Sequence, residues 1–259
     1  MTIDYRMEDD VAIVTLDRPE KFNSVSRELS RGLIEAIARA GAEARAMILT
    51  GAGKAFCAGA DLSGVMSDYD TGGPDLTSLI EDQFNPMVQA LVDAPVPTIA
   101  AVNGVAAGAG LGLALACDLR VISSQAYLLS AFIGLALIPD TGSTWLLVHH
   151  LGLGRSMEFT ATNRRMPAEE VAALGLARIC APDDLLAQAM MLGAEFAGGP
   201  TSAYVANRKI LFQAAVSNFS AALKAEGVTQ GELGRTALHL EGMNAFLEKR
   251  KPDFRGIRS

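Results

Sequence analysis

The sequence is poor in the residues that build disulfide frameworks and metal cages. Its 259 residues include three cysteines and three histidines. Cys57, Cys117 and Cys180 stand in apolar surroundings, at spacings that match neither a zinc site nor a disulfide framework. We interpret them as reduced thiols of a cytosolic protein. The histidines are too few and too scattered for a metal cage.

The chain also lacks an excess of positive charge and an apolar run long enough to cross a bilayer. Its 22 Lys and Arg face 29 Asp and Glu, and the formal net charge of −7 argues against sequence-independent binding to nucleic acid or anionic lipid. The apolar stretch 102–117 is short and rich in Gly and Ala, and residues 1–10 carry acids where an export signal carries bases. We expect a cytoplasmic protein without a membrane anchor.

What the sequence does contain is an alternation of strand and helix patterns. Half of the residues are hydrophobic, and apolar runs predict strands at 11–16, 46–50, 98–102 and 119–122. Helical patterns follow the first three runs, and the third helix is the Gly/Ala-rich segment 104–116. From Thr141 onward helical patterns dominate, with one short strand candidate at 177–180. We therefore predict an α/β core followed by a mostly helical C-terminal third.

Two Gly/Ala-rich segments, 51–61 and 104–112, each follow a predicted strand directly. Without bulky side chains, backbone N–H groups in such loops can converge on one ligand oxygen, and a following helix N-terminus adds positive potential. The segments therefore indicate an oxyanion hole, or, in the alternative, close packing of helix on strand. Neither fits a nucleotide-binding motif.

Asp140 is the acid that the sequence singles out, because it follows an uncharged stretch at 131–139. Burial would raise its pKa toward the range of a useful general acid or base. The alternative is an N-cap for a helix beginning at Thr141. For Asp61 a cap, and for Asp118 an ion pair, are better interpretations than catalysis.

Two further segments have surface character. The polar, Gly-rich stretch 67–74 predicts a loop without regular structure. The segment 245–252 is an amphipathic helix end with three consecutive cations, Lys249, Arg250 and Lys251. Such a run is typical of a solvated helix C-terminus, and a phosphate-rich ligand is the alternative.

Taken together, these segments resemble the enoyl-CoA hydratase/isomerase (crotonase) superfamily. The motifs LTGAGKAFCAGADL at 49–62 and PTIAAVNGVAAGAGLGLALACD at 97–118 carry the resemblance, which extends from LDRPEKFNS near the start to AFLEKRKPDF near the end. It implies an α/β, crotonase-like (ClpP/crotonase) spiral of ββα repeats, with a core domain at 1–199 and a helical C-terminal region at 200–259. It also implies acyl-CoA thioesters as substrates and a homotrimer or a dimer of trimers.

The resemblance also assigns residues to the site. The oxyanion donors are the backbone amides of Ala60 and Ala109, and Asp140 stands where several members of the superfamily carry a working aspartate. The residues that the resemblance implies for binding substrate and coenzyme A are Arg18, Ala58, Ala60, Asp61, Leu62, Phe132 and, from a neighbouring subunit, Phe246 and Lys249. It implies no cofactor and no metal, since coenzyme A is part of the substrate.

The sequence departs from the family's hydratases at both catalytic acids. The positions where hydratases carry glutamates hold Gly112 and Phe132. Hydration needs one group to activate water and another to deliver a proton, and each such role is worth about 10²–10⁴ in rate. We therefore expect an isomerase with Asp140 as its single acid/base, similar to the ring-epoxide isomerases of phenylacetate catabolism, which also shift double bonds in unsaturated acyl-CoA.

Three alternatives remain open at this point. A hydratase of low efficiency would use Asp140 alone. An aryl-CoA dehalogenase-like enzyme would use the Asp140 carboxylate as a nucleophile and form an aryl-enzyme ester. A CoA-thioester binding subunit would have no turnover and would use Asp140 only as a helix cap.

Overall fold

The computed structural model describes residues 2–63, 68 and 72–257 of the chain. Of the loop predicted at 67–74, residues 67 and 69–71 lie outside the described residues. The strands are β1 (Ile3–Glu8), β2 (Val11–Leu16), β3 (Ala46–Gly51), β4 (Ala55–Cys57), β5 (Thr98–Val102), β6 (Val105–Ala107), β7 (Leu119–Ser123), β8 (Tyr127–Leu129), β9 (Met166–Pro167) and β10 (Arg178–Cys180).

Helices connect these strands and form the C-terminal part of the chain. They are α1 (Arg27–Glu43), α2 (Leu76–Leu79), α3 (Asn85–Val92), α4 (Ala109–Ala116), α5 (Ser143–Leu151), α6 (Leu153–Thr162), α7 (Ala168–Ala173), α8 (Leu185–Ala197), α9 (Thr201–Ala214), α10 (Phe219–Leu233) and α11 (Ala237–Glu248). A π-helical turn, Ile80–Phe84, joins α2 to α3. None of the helices described is both long and apolar enough to cross a membrane.

The larger sheet has the order β1-β2-β3-β5-β7-β10 and is parallel except for the antiparallel β1. Both of its faces are covered, because alternate side chains of each strand enter different cores. Along β2, Ala12 and Val14 join the core that includes α1, whereas Val11 and Ile13 join the core under α8. This two-sided burial explains the continuous apolar runs from which the strands were predicted.

A second, smaller sheet has the order β4-β6-β8-β9, with β4, β6 and β8 parallel. Each of these three strands follows a strand of the larger sheet, so the chain repeats a strand–strand–helix unit. The prediction of one helix over 104–116 is wrong in its first part, because Val105–Ala107 forms β6 before α4 begins at Ala109.

Helix α4 lies directly against β4 because its residues are small. A Cβ at Gly110 would overlap the carbonyl oxygen of Cys57 and approach the Cys57 Cβ to 2.7 Å. Both Cys57 and Cys117 are buried unpaired thiols, and Cys180 is an unpaired thiol that is partly buried. The packing alternative for the glycine-rich segment 104–112 therefore holds at Gly110, independently of any role in catalysis.

We expect Gly110→Ala to lower the free energy of unfolding by about 1–3 kcal/mol, because α4 must move away from β4 to admit a methyl group. Denaturation in urea measures the change. The matched control is Gly154→Ala in α6, where nothing lies within 4 Å of an added Cβ and the change is expected to stay within about 0.5 kcal/mol. Equal stabilities of the two variants would contradict the packing described here.

A buried arginine on α9 connects this helix to the core. The Arg208 guanidinium donates to both carboxylate oxygens of Asp118, at 2.7 and 2.8 Å, and to the carbonyl oxygens of Val92, Ala94 and Val96. The ion pair predicted for Asp118 is thus confirmed. The division into residues 1–199 and 200–259 stays a prediction.

Candidate active site

The two glycine-rich loops meet at one edge of the smaller sheet. One loop follows β4 and the other follows β6, and because these strands are parallel neighbours their carboxyl ends lie side by side. The closest approach is at Gly59 and Gly108, whose φ angles are +100° and +53°. A Cβ at Gly59 would lie 3.1 Å from the Ala107 carbonyl oxygen and 3.6 Å from the Gly108 Cα. Only glycine permits both this conformation and this approach.

The two predicted oxyanion donors follow these glycines directly. Val25 donates its N–H to the Gly59 carbonyl oxygen at 2.7 Å and accepts from the Asp61 N–H at 3.0 Å, so the Ala60 N–H faces away from Val25. Ala109 is the first residue of α4, where an N–H has no acceptor within the helix. Neither amide has an acceptor in the part of the chain that the structure describes.

The turn that follows Asp140 packs on Gly112, one helical turn along α4 from Ala109. A Cβ at Gly112 would overlap the Thr141 carbonyl oxygen and approach the Ser143 Oγ to 3.1 Å. Gly112 is thus the position on α4 that admits the backbone of the turn at 140–143. In the sequence Gly112 stands only where a hydratase carries an acid, and its packing role is visible only in the fold.

The carboxyl group of Asp140 is half-buried. Burial raises its pKa above the ordinary value of 3.8, while a hydrogen bond from the Thr141 hydroxyl, 2.7 Å from Oδ1, acts in the opposite direction. No ion pair to Asp140 occurs among the described residues. The raised pKa is what a general acid/base in a low-dielectric site requires.

The alternative role of Asp140 as a helix cap is wrong. Helix α5 begins at Ser143 rather than at Thr141, its N-cap is Gly142, and no side chain caps it. The reason is that Thr141 and Gly142 both adopt positive φ, at +52° and +72°, so the chain turns once more before the helix starts. The Asp140 side chain is free of a capping role, and only its backbone carbonyl accepts the Ser143 N–H, at 2.8 Å.

Phe132 lies beside the same loops. Its side chain is buried, and its Cζ atom is 3.8 Å from the place where a Cβ of Gly108 would stand. Asn163 supports the preceding residue by accepting the Ala131 N–H through its Oδ1, at 2.8 Å. An aromatic wall next to Gly108 lowers the local dielectric around the loops. Asn163 was not among the predicted site residues, and no sequence spacing connects it to Phe132.

The predicted coenzyme A residues near the first loop are held together by an ion pair. The Arg18 guanidinium donates to Asp61 Oδ2 at 2.8 Å and to the Ser24 carbonyl oxygen at 2.7 Å. Hydrogen bonds from Ser63 and Arg18 lower the pKa of Asp61 to about 2. Asp61 also accepts the N–H of Ser63, and residues 64–67, where a capped helix would follow, lie outside the described residues.

The other residues predicted to bind coenzyme A are on the surface. Ala58 and Leu62 are exposed, and Phe246, near the end of α11, is 78% exposed. Lys249 follows α11 in the left-handed conformation. The middle cation of the run 249–251, Arg250, is bound to Glu241 and Glu248 at 2.6 Å each. A contribution from Phe246 and Lys249 across a subunit boundary stays a prediction.

A cavity of about 410 Å³ lies elsewhere, between the end of α4, α5, α8 and α9. Its lining includes the stacked rings of Trp145, His149 and Phe212, and none of the residues predicted for the site. In the described ranges no group of three His, Cys, Asp or Glu residues is placed to hold a metal ion. The candidate active site is therefore the junction of the two loops with the turn at Asp140.

We expect Asp140→Asn to stabilise the protein at neutral pH. A raised pKa means that the folded state binds the Asp140 proton more tightly than the unfolded state, so stability falls as the pH rises from about 3.8 through the raised value. The neutral asparagine avoids this loss. The melting temperature of the variant should exceed that of the parent at pH 8, and the difference should shrink toward pH 4. A variant less stable than the parent at pH 8 would contradict the argument.

Comparison with known proteins agrees with this fold. Residues 6–257 match the family described as enoyl-CoA hydratase/isomerase. The chain therefore belongs to the enoyl-CoA hydratase/isomerase family, whose enzymes act on CoA thioesters, and the expected crotonase fold is confirmed.

The individual relatives include proteins named as hydratases and proteins named as isomerases. The chain is 41% identical over 257 residues to a probable enoyl-CoA hydratase of Rhodobacter capsulatus, with 98% of each chain covered. It is 37% identical over 253 residues to the 1,2-epoxyphenylacetyl-CoA isomerase of Escherichia coli, covering 96% of this chain and 97% of the relative. A crystal structure of an enoyl-CoA hydratase from Polaromonas sp. JS666 has a TM-score of 0.91 at 30% identity, covering 97% and 98% of the chains.

Proposed function

We propose that the protein is an acyl-CoA isomerase that moves a double bond, or opens a ring epoxide, in a CoA thioester with Asp140 as its acid/base. The observation that carries the proposal is the packing of the Asp140–Thr141 turn on Gly112, one turn along α4 from the amide of Ala109. The residue that follows Asp140 therefore contacts the helix whose N-terminus would supply a backbone donor, which supports a place for the half-buried carboxyl group at the site. The sequence similarity to a 1,2-epoxyphenylacetyl-CoA isomerase also supports an isomerase.

In the proposed mechanism, the thioester carbonyl oxygen accepts hydrogen bonds from the Ala60 and Ala109 amides. The Asp140 carboxylate removes a proton from the α-carbon of a β,γ-enoyl thioester, and the electron pair moves into a dienolate with its charge on the thioester oxygen. Asp140 then returns the proton to the γ-carbon, which leaves the double bond between the α- and β-carbons. Each oxyanion donor contributes about 3 kcal/mol to stabilising the transition state.

One carboxyl group is enough for this reaction because the proton leaves and re-enters on one face of a planar dienolate. The proposed proton transfer needs no redox cofactor, since no electrons are gained or lost overall, and the two backbone amides would stabilise the oxyanion without a metal. The positive end of α4 adds to the stabilisation of the oxyanion at Ala109. Phe132 limits the access of water to the dienolate, which disfavours hydration.

Hydration is the second candidate, because a relative at 41% identity is a probable enoyl-CoA hydratase. Gly112 and Phe132 supply no acid, so Asp140 would have to activate water without a partner that protonates the α-carbon. Such an enzyme would be slow. The dehalogenase-like enzyme and the binding subunit without turnover are weaker alternatives. The binding-subunit alternative gave Asp140 the role of a helix cap, and Asp140 does not cap α5.

A panel of CoA thioesters in D₂O distinguishes these functions. An isomerase converts β,γ-enoyl-CoA into α,β-enoyl-CoA without gain of water. Its γ-carbon receives the proton taken from the α-carbon, and it receives deuterium only in the turnovers in which the Asp140 carboxyl group exchanges with D₂O before the proton returns. A hydratase adds one water to crotonyl-CoA, and a dehalogenase-like enzyme forms an aryl-enzyme ester visible by mass spectrometry of the protein. If the thioesters bind measurably but are not converted, the protein is a binding subunit without turnover.

The assembly and location of the enzyme also stay proposals. We propose a homotrimer or a dimer of trimers in the cytoplasm. Exposed apolar side chains on the C-terminal helices support an assembly, because single chains rarely leave so many large apolar groups in water. These side chains include Leu211, Phe219, Leu223, Val228, Leu240, Phe246 and Leu247. Light scattering of the purified protein measures the number of subunits.

A further inference from the structure

Thr141 has a backbone conformation that its side chain disfavours. Its φ is +52°, in the left-handed region, although threonine is branched at Cβ. Such a residue is rare there, because its Cβ substituents crowd the backbone, and the cost must be offset by its surroundings. Thr141 is 1% exposed and is followed by Gly142, which also has positive φ. The residues packed around the buried Thr141 therefore hold it in this conformation.

This conformation directs two groups of Thr141 to the candidate active site. Its hydroxyl donates to Oδ1 of Asp140 at 2.7 Å, and its carbonyl oxygen lies against Gly112 of α4. The Ser143 N–H holds the Asp140 carbonyl oxygen at 2.8 Å. The carboxyl group and the helix that carries the Ala109 amide are thus connected through a single buried residue.

We infer that Thr141 is a positioning residue that fixes the carboxyl group of Asp140 relative to the N-terminus of α4. The Thr141 hydroxyl occupies one carboxylate oxygen and leaves the other to move the proton. The inference rests on the proposed function, because it assigns Thr141 a role only if Asp140 performs the proton transfer. It adds a residue that acts through Asp140 rather than on the substrate.

The ionisation of Asp140 is controlled locally. The hydroxyl of Thr141 opposes the rise in pKa that burial causes. The neighbouring elements α3 and α4 and the segment 130–139 carry no ionisable side chain. Helix α5 carries His149 and His150 in its last turn, away from Asp140.

Among the described residues, the charges of the elements next to α5 and of the first loop are held by their own partners or face solvent. Helix α6, which packs on α5, carries Glu158, bound to Arg164 at 2.7 Å, and the exposed Arg155. At the first loop, Asp61 is bound to Arg18. Removing the Thr141 hydroxyl should therefore raise the pKa of Asp140 without compensation from another charge.

The test compares Thr141→Val with Thr141→Ser on a β,γ-enoyl-CoA. Valine keeps the shape and the branched Cβ but cannot donate, whereas serine keeps the hydroxyl. We expect Thr141→Val to lower kcat about 10- to 100-fold with little change in KM, because a misplaced base affects proton transfer more than binding. The acidic limb of its kcat–pH profile should move to higher pH. Thr141→Ser should restore most of kcat and the position of the limb.

A second measurement separates positioning from loss of fold. In the Asp140→Asn background, Thr141→Val should leave the residual rate unchanged, since a residue that acts through Asp140 has nothing left to position. Circular dichroism and melting temperature show whether each variant is folded. A further drop in the residual rate of a folded double variant would overturn the inference.

The outcomes distinguish this inference from the proposed function. If Asp140→Asn loses activity while Thr141→Val keeps the kcat and pH profile of the parent, the inference about Thr141 is wrong and the proposed function stands. If Asp140→Asn itself keeps the parent's rate, the proposed function fails, whatever the result at Thr141. If Thr141→Val and Thr141→Ser lose activity equally, the role of Thr141 is one of shape, and the inference is again wrong.

Discussion

Replacing Asp140 with asparagine is expected to slow the isomerisation of β,γ-enoyl-CoA about 10²–10⁴-fold, the usual value of one general acid/base. Asparagine has nearly the same shape and still offers an oxygen to the Thr141 hydroxyl, which donates to Oδ1 in the parent. The variant loses only the ability to take up and return a proton. Steady-state kinetics on the CoA thioester, together with Kd for a non-reactive acyl-CoA, measure the effect.

The control for this variant is Asp183→Asn, which removes an equal charge from an exposed position outside the site. It should keep the kcat of the parent. Binding of the non-reactive acyl-CoA should be similar in all three proteins, because the proposed contacts of coenzyme A do not include Asp140. An Asp140→Asn enzyme that retains most of its kcat would show that another group moves the proton.

Replacing Ala109 with proline is expected to lower kcat about 10²–10³-fold, the usual cost of losing one oxyanion donor. Ala109 is the first residue of α4, the position at which a helix accepts proline best, because the N–H there has no partner in the helix. The substitution thus removes one backbone N–H while the helix that carries it remains. The same isomerase assay measures the loss.

The matched control is Arg27→Pro, which places proline at the first position of α1, where the side chain is exposed. It should fold and turn over like the parent. A comparison of melting temperatures shows whether proline at position 109 has disturbed α4. If a folded Ala109→Pro enzyme keeps its rate, the Ala109 amide does not hold the thioester oxygen, and the proposed oxyanion hole is wrong.

The strands of the larger sheet were predictable because they are buried on both faces. Runs such as Val11–Leu16 and Ala46–Gly51 are apolar except for one threonine each, and such runs are typical of parallel strands between layers of helices. The short strands of the smaller sheet were not predictable. Val105–Ala107 consists of one valine and two alanines, which are too few residues to show the period of a strand, and its strand conformation comes from pairing with β4 and β8.

The sequence indicated the residues of the candidate site but not the contacts that hold them in place. The two glycine-rich loops and Asp140 stand out in the sequence, and the fold brings Gly59 to Gly108 and Thr141 to Gly112. The helix cap predicted for Asp140 was wrong because propensity places a helix start after an aspartate, whereas packing against α4 fixes Thr141 and Gly142 in left-handed conformations. Contacts between segments distant in sequence leave no local pattern.

The position of the two loops at the ends of β4 and β6 has a consequence for how this chain tolerates change. The groups that face the thioester oxygen in the proposed mechanism belong to the main chain, so no substitution of a side chain removes them unless it introduces proline or displaces a glycine that the loops require. The proposed hydrogen bonds to the thioester oxygen therefore depend on the backbone of the two loops and not on particular side chains. The bond that is rearranged depends instead on a few side chains around the thioester. A substitution that places an acid at another position could therefore change the reaction while the binding of the thioester oxygen stays the same.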